Sequence, residues 1–470
     1  MLDPALLSAL MDATSADAVS TDDETRERLS FDALGPSRLF GRDNLTKCRV
    51  DAVVRPTTTE QVSQVMRLAT QYGVPVIPYG GGTGVMGAVI PVQGGISLDM
   101  RGMDGILEVL PRERLARVQP GVLLENLDVE AERHGLMLGH DPWSLSIATV
   151  GGAISTDSVG YRAGRYGSMG KQVRALEVVL ADGQIVRTGP LTQASSGPSL
   201  TGLFAGAEGA MGVITEATLQ LFPQPEERRF ATFGFDSFEA GFPAVERLYS
   251  IGLAPAVLDL TEEDPPPDGA GDYRCVLYLG FEGYHEEVEA QYQRTVAEAL
   301  ACGGADLGPG VTEGYWRDRH ASAERWKERV QPLRPTERWQ RNEWRAADYL
   351  HISLPIVSVL EYKRRAEETL ATAGLTVSEA AVWTHPGLFS LLIMDPQAGA
   401  AGRPEVVAAT SEALLTMAVS MGGGIEYCHG IGSKLAPLAA MDWSDALPLA
   451  QRIKRGVDPD GLLNPGKLGL

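Results

Sequence analysis

Pro78-Tyr79-Gly80-Gly81-Gly82-Thr83-Gly84 places four glycines within five residues, a run able to hold an anion. Backbone without side chains approaches a phosphate closely, with several N–H groups free to donate. Gly82-Thr83-Gly84-Val85-Met86-Gly87 also meets the G-x-G-x-x-G spacing of a dinucleotide fold. That reading needs a helix directly after the loop. Pro91 and then Gly94-Gly95 follow instead, so the loop opens no helix. A Walker loop fails too, since no Gly-Lys-Ser/Thr comes next. A second segment, Asp141 to Gly170, is rich in glycine and hydroxyls but poor in charge, as suits an ordered loop around a polar ligand.

The elements that must position these loops follow from periodicity. Val62, Val65, Met66 and Ala69 recur at helical spacing between Thr58 and Tyr72, with Gly73 as terminator. Val74 to Ile77, Ile96 to Leu98, Ile106 to Leu110 and Leu115 to Val118 read as short strands, and Val122 to Arg133 as a helix. Leu176 to Leu180, Asp182-Gly183 and Ile185-Val186 predict a hairpin. Val213 to Leu221 reads as a strand ended by Pro223 and Pro225, which mark a boundary. Beyond it come strands near Ala231 to Phe235 and Val276 to Phe281, a helix near Glu286 to Ala301, and mixed elements to about residue 420. The fold class is α+β.

With 470 residues and 44% hydrophobic composition, the chain can bury substantial cores in two or three domains. A net charge of -20 disfavours nucleic acid and anionic membrane surfaces. Cys48, Cys275, Cys302 and Cys428 lie far apart, which argues against a disulfide framework or a zinc ribbon. The N-terminus lacks a signal pattern and no apolar run suffices for a membrane helix, so a cytoplasmic protein is expected.

The loop P-x-G-G-G-T-G, the stretch Ala148-Thr149-Val150-Gly151-Gly152, the run Ala207 to Ala217 and the terminal Asn464-Pro465-Gly466-Lys467 occur in that order. Together they resemble the FAD-binding flavoproteins of the vanillyl-alcohol-oxidase (PCMH-type) superfamily, from about residue 46 onward. The resemblance implies an N-terminal helical arm over 1–45 and a two-subdomain FAD-binding domain over 46–225. It further implies an α+β cap domain over 226–435 and a tail, 436–470, that returns to the FAD domain. It assigns cofactor contacts to Pro78, Tyr79, Gly80, Gly81, Gly82, Thr83, Gly84, Val85, Pro142, Ser144, Thr149, Val150, Gly151 and Gly152. Ser155, Thr156, Ser158, Tyr166, Glu208, Gly209, Gly212, Val213, Ile214, Asn464 and Lys467 complete that set. Relatives often tether FAD through a histidine in or near the loop; none stands between Tyr79 and Gly87 or within 141–170, so non-covalent FAD is expected.

Two branches of the superfamily compete. Trp316-Arg317-Asp318-Arg319-His320, His385-Pro386-Gly387 and Cys428-His429-Gly430-Ile431-Gly432 partly match the D-lactate dehydrogenase and glycolate oxidase flavin subunit. The second metal histidine is missing after Gly387, and Cys428 stands where that branch has glutamate, so no metal is expected. Pro142-Trp143-Ser144-Leu145 looks closer to alkyldihydroxyacetonephosphate synthase, but that enzyme's active-site tyrosine and histidine triplet are not matched. The resemblance implies oxidation of a CH–OH substrate such as a 2-hydroxy acid, with electrons passed on to an acceptor it does not name. His429 is the expected base, His385 a partner for the proton or substrate, and Arg319 an anion clamp. A flavin transferase and a flavin-binding protein without catalysis stay open, as does a homodimeric assembly.

Overall fold

A computed structural model describes residues 2–40, 43–189, 195, 197–340, 346–397 and 402–470. Thr59–Tyr72 is helical because Val62, Val65, Met66 and Ala69 bury one face. The Thr58 hydroxyl accepts from the Gln61 N–H at its start, and Gly73, at φ 64°, closes it in the left-handed conformation that glycine adopts without strain. The helix joins strands Ala52–Val54 and Val76–Tyr79, which flank Ile96–Asp99 and pair with it in parallel. Val19–Ser20 adds an antiparallel edge. The predicted strand at Val74 begins two residues later, because Val74 still bonds back to Ala69 at the end of the helix.

The second sheet is antiparallel, in the order Ile106–Leu110, Leu115–Val118, Val213–Pro223, Val173–Val179, Ile185–Arg187. Leu136–Leu138 pairs with the far end of its long central strand. The predicted hairpin turns at Gly183, φ 80°.

A third, seven-stranded antiparallel sheet spans Glu227–Phe235 to Leu388–Met394. Strand alternation gives it two chemically distinct faces. Leu258, Leu260, Leu277, Leu279, Leu350, Ile352, Val382 and Phe389 point into a core shared with helices Phe238–Ser250, His285–Ala301, Val359–Ala373 and Pro404–Ser420. Their neighbours Asp259, Tyr278, Tyr349, His351 and Trp383 fall on the opposite face. Pairing sets Asp259 between Trp383 on one strand and Tyr278 on the other.

Both chain ends brace the glycine loop. The Tyr79 hydroxyl donates to the Phe31 carbonyl, Ala33 N–H to the Gly84 carbonyl, and Gly87 N–H to the Asp32 carboxylate. At the other end, Val76 N–H donates to the Leu462 carbonyl and Asn464 N–H to the Val76 carbonyl, extending the first sheet by a bridge. Among the described residues no helix is long and apolar enough to cross a membrane.

Candidate active site

Gly80 and Gly81 pass so close to the segment 147–152 that side chains cannot fit between them. A Cβ on Gly81 would lie 2.3 Å from the Ile147 carbonyl oxygen, and one on Gly80 2.5 Å from the Thr149 hydroxyl. The two segments wall a cavity of about 170 Å³. Of the predicted cofactor residues, all but Val85, Val150, Tyr166 and Lys467 line it. Among the described residues, no hydrogen bond occupies the N–H groups of Gly81, Gly82, Thr83 or Gly84. Asn464 donates to the Ala88 and Glu208 carbonyls, while its buried Oδ1 has no partner. Unfilled donors in a glycine cradle fit a dinucleotide diphosphate, and the orphaned Asn464 Oδ1, an acceptor, fits a hydroxyl or N–H of the same cofactor.

Glu208 lines this cavity too. Its buried carboxylate accepts from Ile431 N–H and Gly432 N–H, fixing the turn after His429. Burial raises its pKa to about 7. Asp32, which the sequence did not single out, also lines the cavity, and burial raises it to about 6.

A second cavity, of about 290 Å³, opens between the first and the face of the seven-stranded sheet that carries Asp259, Tyr349, His351 and Trp383. Thr83, Pro142, Ser144, Ser158, Cys428 and His429 line both. Glu426 organises the shared turn by accepting from Cys428 N–H and His429 N–H, with its carboxylate 3.6 Å from His429 Nδ1. Burial opposes protonation of His429, but Cys428 and Glu426 outweigh it and raise the pKa to about 10.

His351 stands edge-on to His429, with ring centroids 4.5 Å apart. His351 is 2% exposed and neither ring nitrogen has a partner. Burial, then the neighbouring His429, hold it well below the ordinary histidine value. The sequence offered little signal for it, because alternation with Leu350 and Ile352 marks a strand face, and strand pairing alone supplies the neighbours. His351, Glu426 and His429 bring their ligand-type atoms within 4.8 Å of one another, a cluster that the incomplete metal motif did not foreshadow.

Other expectations land elsewhere. Arg319 lines neither cavity; its Nε lies 2.9 Å from the buried Asp141 carboxylate and its guanidinium stacks 3.7 Å from the Trp316 ring centre. Its charge is thus committed within the protein rather than offered to a substrate. His385 also lines neither cavity: its Nδ1 accepts from Gly387 N–H, and its ring meets Tyr249. Tyr166 packs on Phe222, Val150 is in the core, and Lys467 donates to the Ile90 carbonyl. Val85 lines the second cavity rather than the first.

Two family models match. Residues 50–189 fit an FAD binding domain, and residues 224–468 fit the C-terminal domain of FAD linked oxidases. The chain belongs to the FAD-linked oxidase family, and it is an FAD-dependent oxidoreductase. It is 31% identical to a D-lactate dehydrogenase of Archaeoglobus fulgidus over 433 residues, covering 88% of this chain and 90% of that one. It is 28% identical to glycolate oxidase subunit GlcD of Bacillus subtilis, with 89% and 88% covered. Among solved structures, an alkyldihydroxyacetonephosphate synthase superposes with a TM-score of 0.76 at 19% identity, covering 99% of this chain and 85% of that one. The 4-ethylphenol oxidase from Gulosibacter chungangensis gives 0.76 at 22%, with 99% and 96% covered. These two likenesses concern the fold.

Proposed function

We propose that the protein oxidises an alcohol CH–OH to a carbonyl in the second cavity, with FAD held non-covalently in the first. Bound FAD would supply the two-electron acceptor for the substrate hydride. The observation that carries this reading is the His351–His429 pair at the junction of the two cavities. His351, neutral and with free ring nitrogens, takes the hydroxyl proton. His429, protonated, stabilises the negative charge that develops on the same oxygen. Thr83, Pro142 and Ser144 line both cavities and would border the opening where donor carbon and cofactor meet. The relatives named D-lactate dehydrogenase and glycolate oxidase place 2-hydroxy acids in the first panel to try, beside neutral and amino alcohols.

Anaerobic mixing should bleach the visible flavin band with at least one member of the panel. His351→Gln should slow that bleaching by about two orders of magnitude with flavin content unchanged, the usual scale for a lost general base. If every alcohol and hydroxy acid leaves the flavin oxidised, alcohol oxidation falls and a flavin transferase or a non-catalytic role gains. The tether is tested separately: acid precipitation should release all yellow colour into the supernatant. Flavin retained in the pellet would show a covalent bond, for which Cys428 and His429 are the cysteine and histidine lining the first cavity among the described residues.

A further inference from the structure

The wall of the second cavity farthest from the glycine loop is built for a positive charge. Asp259 lies there on strand Val257–Glu263, 6% exposed. Tyr161, Tyr315, Tyr349, Trp143 and Trp383 line the same cavity. Tyr315 is edge-on to Tyr161 at 6.0 Å, and Tyr349 is edge-on to Trp383 at 6.0 Å. The tyrosine protons are all engaged with the protein: Tyr315 donates to Asp259, Tyr161 to the Arg319 carbonyl, and Tyr349 to Glu379. What these groups leave for a ligand is ring faces and oxygen lone pairs, both of which attract cations.

No arginine or lysine lines this cavity among the described residues, and Arg319, the expected anion clamp, faces Asp141. A substrate carboxylate at this end would face Asp259 with no arginine or lysine beside it among the described residues. The other half of the cavity has the opposite polarity. His351 is buried with both ring nitrogens unpartnered, so a hydroxyl is wanted there. The ligand that satisfies both halves carries an oxygen at one end and a cation at the other.

We propose that the cavity selects alcohols bearing an ammonium group, which the Asp259 carboxylate and the surrounding tyrosine and tryptophan rings bind while the carbinol sits at His351 and His429. The site deepens the reading of this cavity as an alcohol site and rests on it. Its size, about 290 Å³, suits an aromatic or similarly bulky spacer between the two ends.

The test uses the flavin-loaded protein and three alcohols that differ only at the far end: para-(aminomethyl)benzyl alcohol, para-methylbenzyl alcohol and para-(hydroxymethyl)benzoate. Binding is read from the perturbation of the visible flavin spectrum, independently of turnover. The ammonium compound should bind about tenfold tighter than the methyl compound, the scale of a hydrogen bond to the charged Asp259 carboxylate, and the carboxylate weakest of all. Asp259→Asn should compress that ranking to within about twofold, since the amide cannot supply the charge. The wild-type ranking needs no variant, so a poorly folded Asp259→Asn leaves the test intact. Equal or tighter binding of the methyl or carboxylate compound, or no binding by any of the three, overturns the proposal. A correct ranking without flavin reduction would preserve the cation site while removing alcohol oxidation; reduction with the carboxylate preferred would do the reverse.

Discussion

Gly81→Val is expected to yield protein that purifies without flavin. The β-carbon alone would stand 2.3 Å from the Ile147 carbonyl oxygen and 3.3 Å from the Ala148 Cα. Both obstacles are backbone, so relief requires the glycine loop to separate from the segment 147–152. That separation dismantles the cradle formed by Gly81 to Gly84. Because the loop also bonds through Gly84 and Gly87 to Ala33 and Asp32, it cannot retreat without breaking those contacts as well. The ratio of visible to ultraviolet absorbance after purification measures the outcome. Stoichiometric flavin in a folded Gly81→Val protein would refute the close-approach argument.

Asp141→Ala should destabilise the protein by about 3–5 kcal/mol, the range for breaking a buried ion pair by removing one partner. Asp141 is fully buried, with Arg319 Nε 2.9 Å from Oδ2, His320 Nε2 2.9 Å from Oδ1 and Arg162 Nε 3.6 Å from Oδ2. Its removal leaves the buried Arg162 guanidinium with the Glu282 carboxylate, 3.9 Å away, and the Leu138 carbonyl. The effect should also loosen the cavity wall, since Arg319 and His320 follow helix Gly310–Asp318 while Asp141 begins the segment that lines both cavities. Burial alone would raise the Asp141 carboxyl, but His320, Arg162 and Arg319 outweigh it and hold it well below the usual range. A depressed carboxylate contributes stability above its unfolded value, near 4, and loses it as pH falls through the folded value. Urea unfolding should therefore show a constant gap between wild type and variant from pH 8 to about pH 5, narrowing only in stronger acid. A gap that instead widened on acidification would contradict the assigned charge.

The loop, the second glycine-rich segment and most of the sheet elements were legible because each depends on neighbours in sequence. Thr58 and Gly73 mark a helix by cap chemistry, and Asp182-Gly183 marks a hairpin by its turn. Arg319 misled for the same reason in reverse. An arginine beside a histidine looks like an anion clamp when its partner, 178 residues earlier, is out of view. His429 was found by its motif, but its protonation depends on Glu426 and Cys428 folding back against it.

The sequence by itself determined a backbone cradle for a flavin dinucleotide, because four glycines in five residues permit close approach wherever the chain is folded. It could not supply the chemistry of the adjoining cavity. Asp259, His351, Trp383 and His429 come from four separate stretches, and they meet only through the strand order and register of the seven-stranded sheet and the return of the 426–432 turn. Register is a tertiary property: a slip of one residue would exchange His351 for Leu350 or Ile352 and turn the reactive face into core.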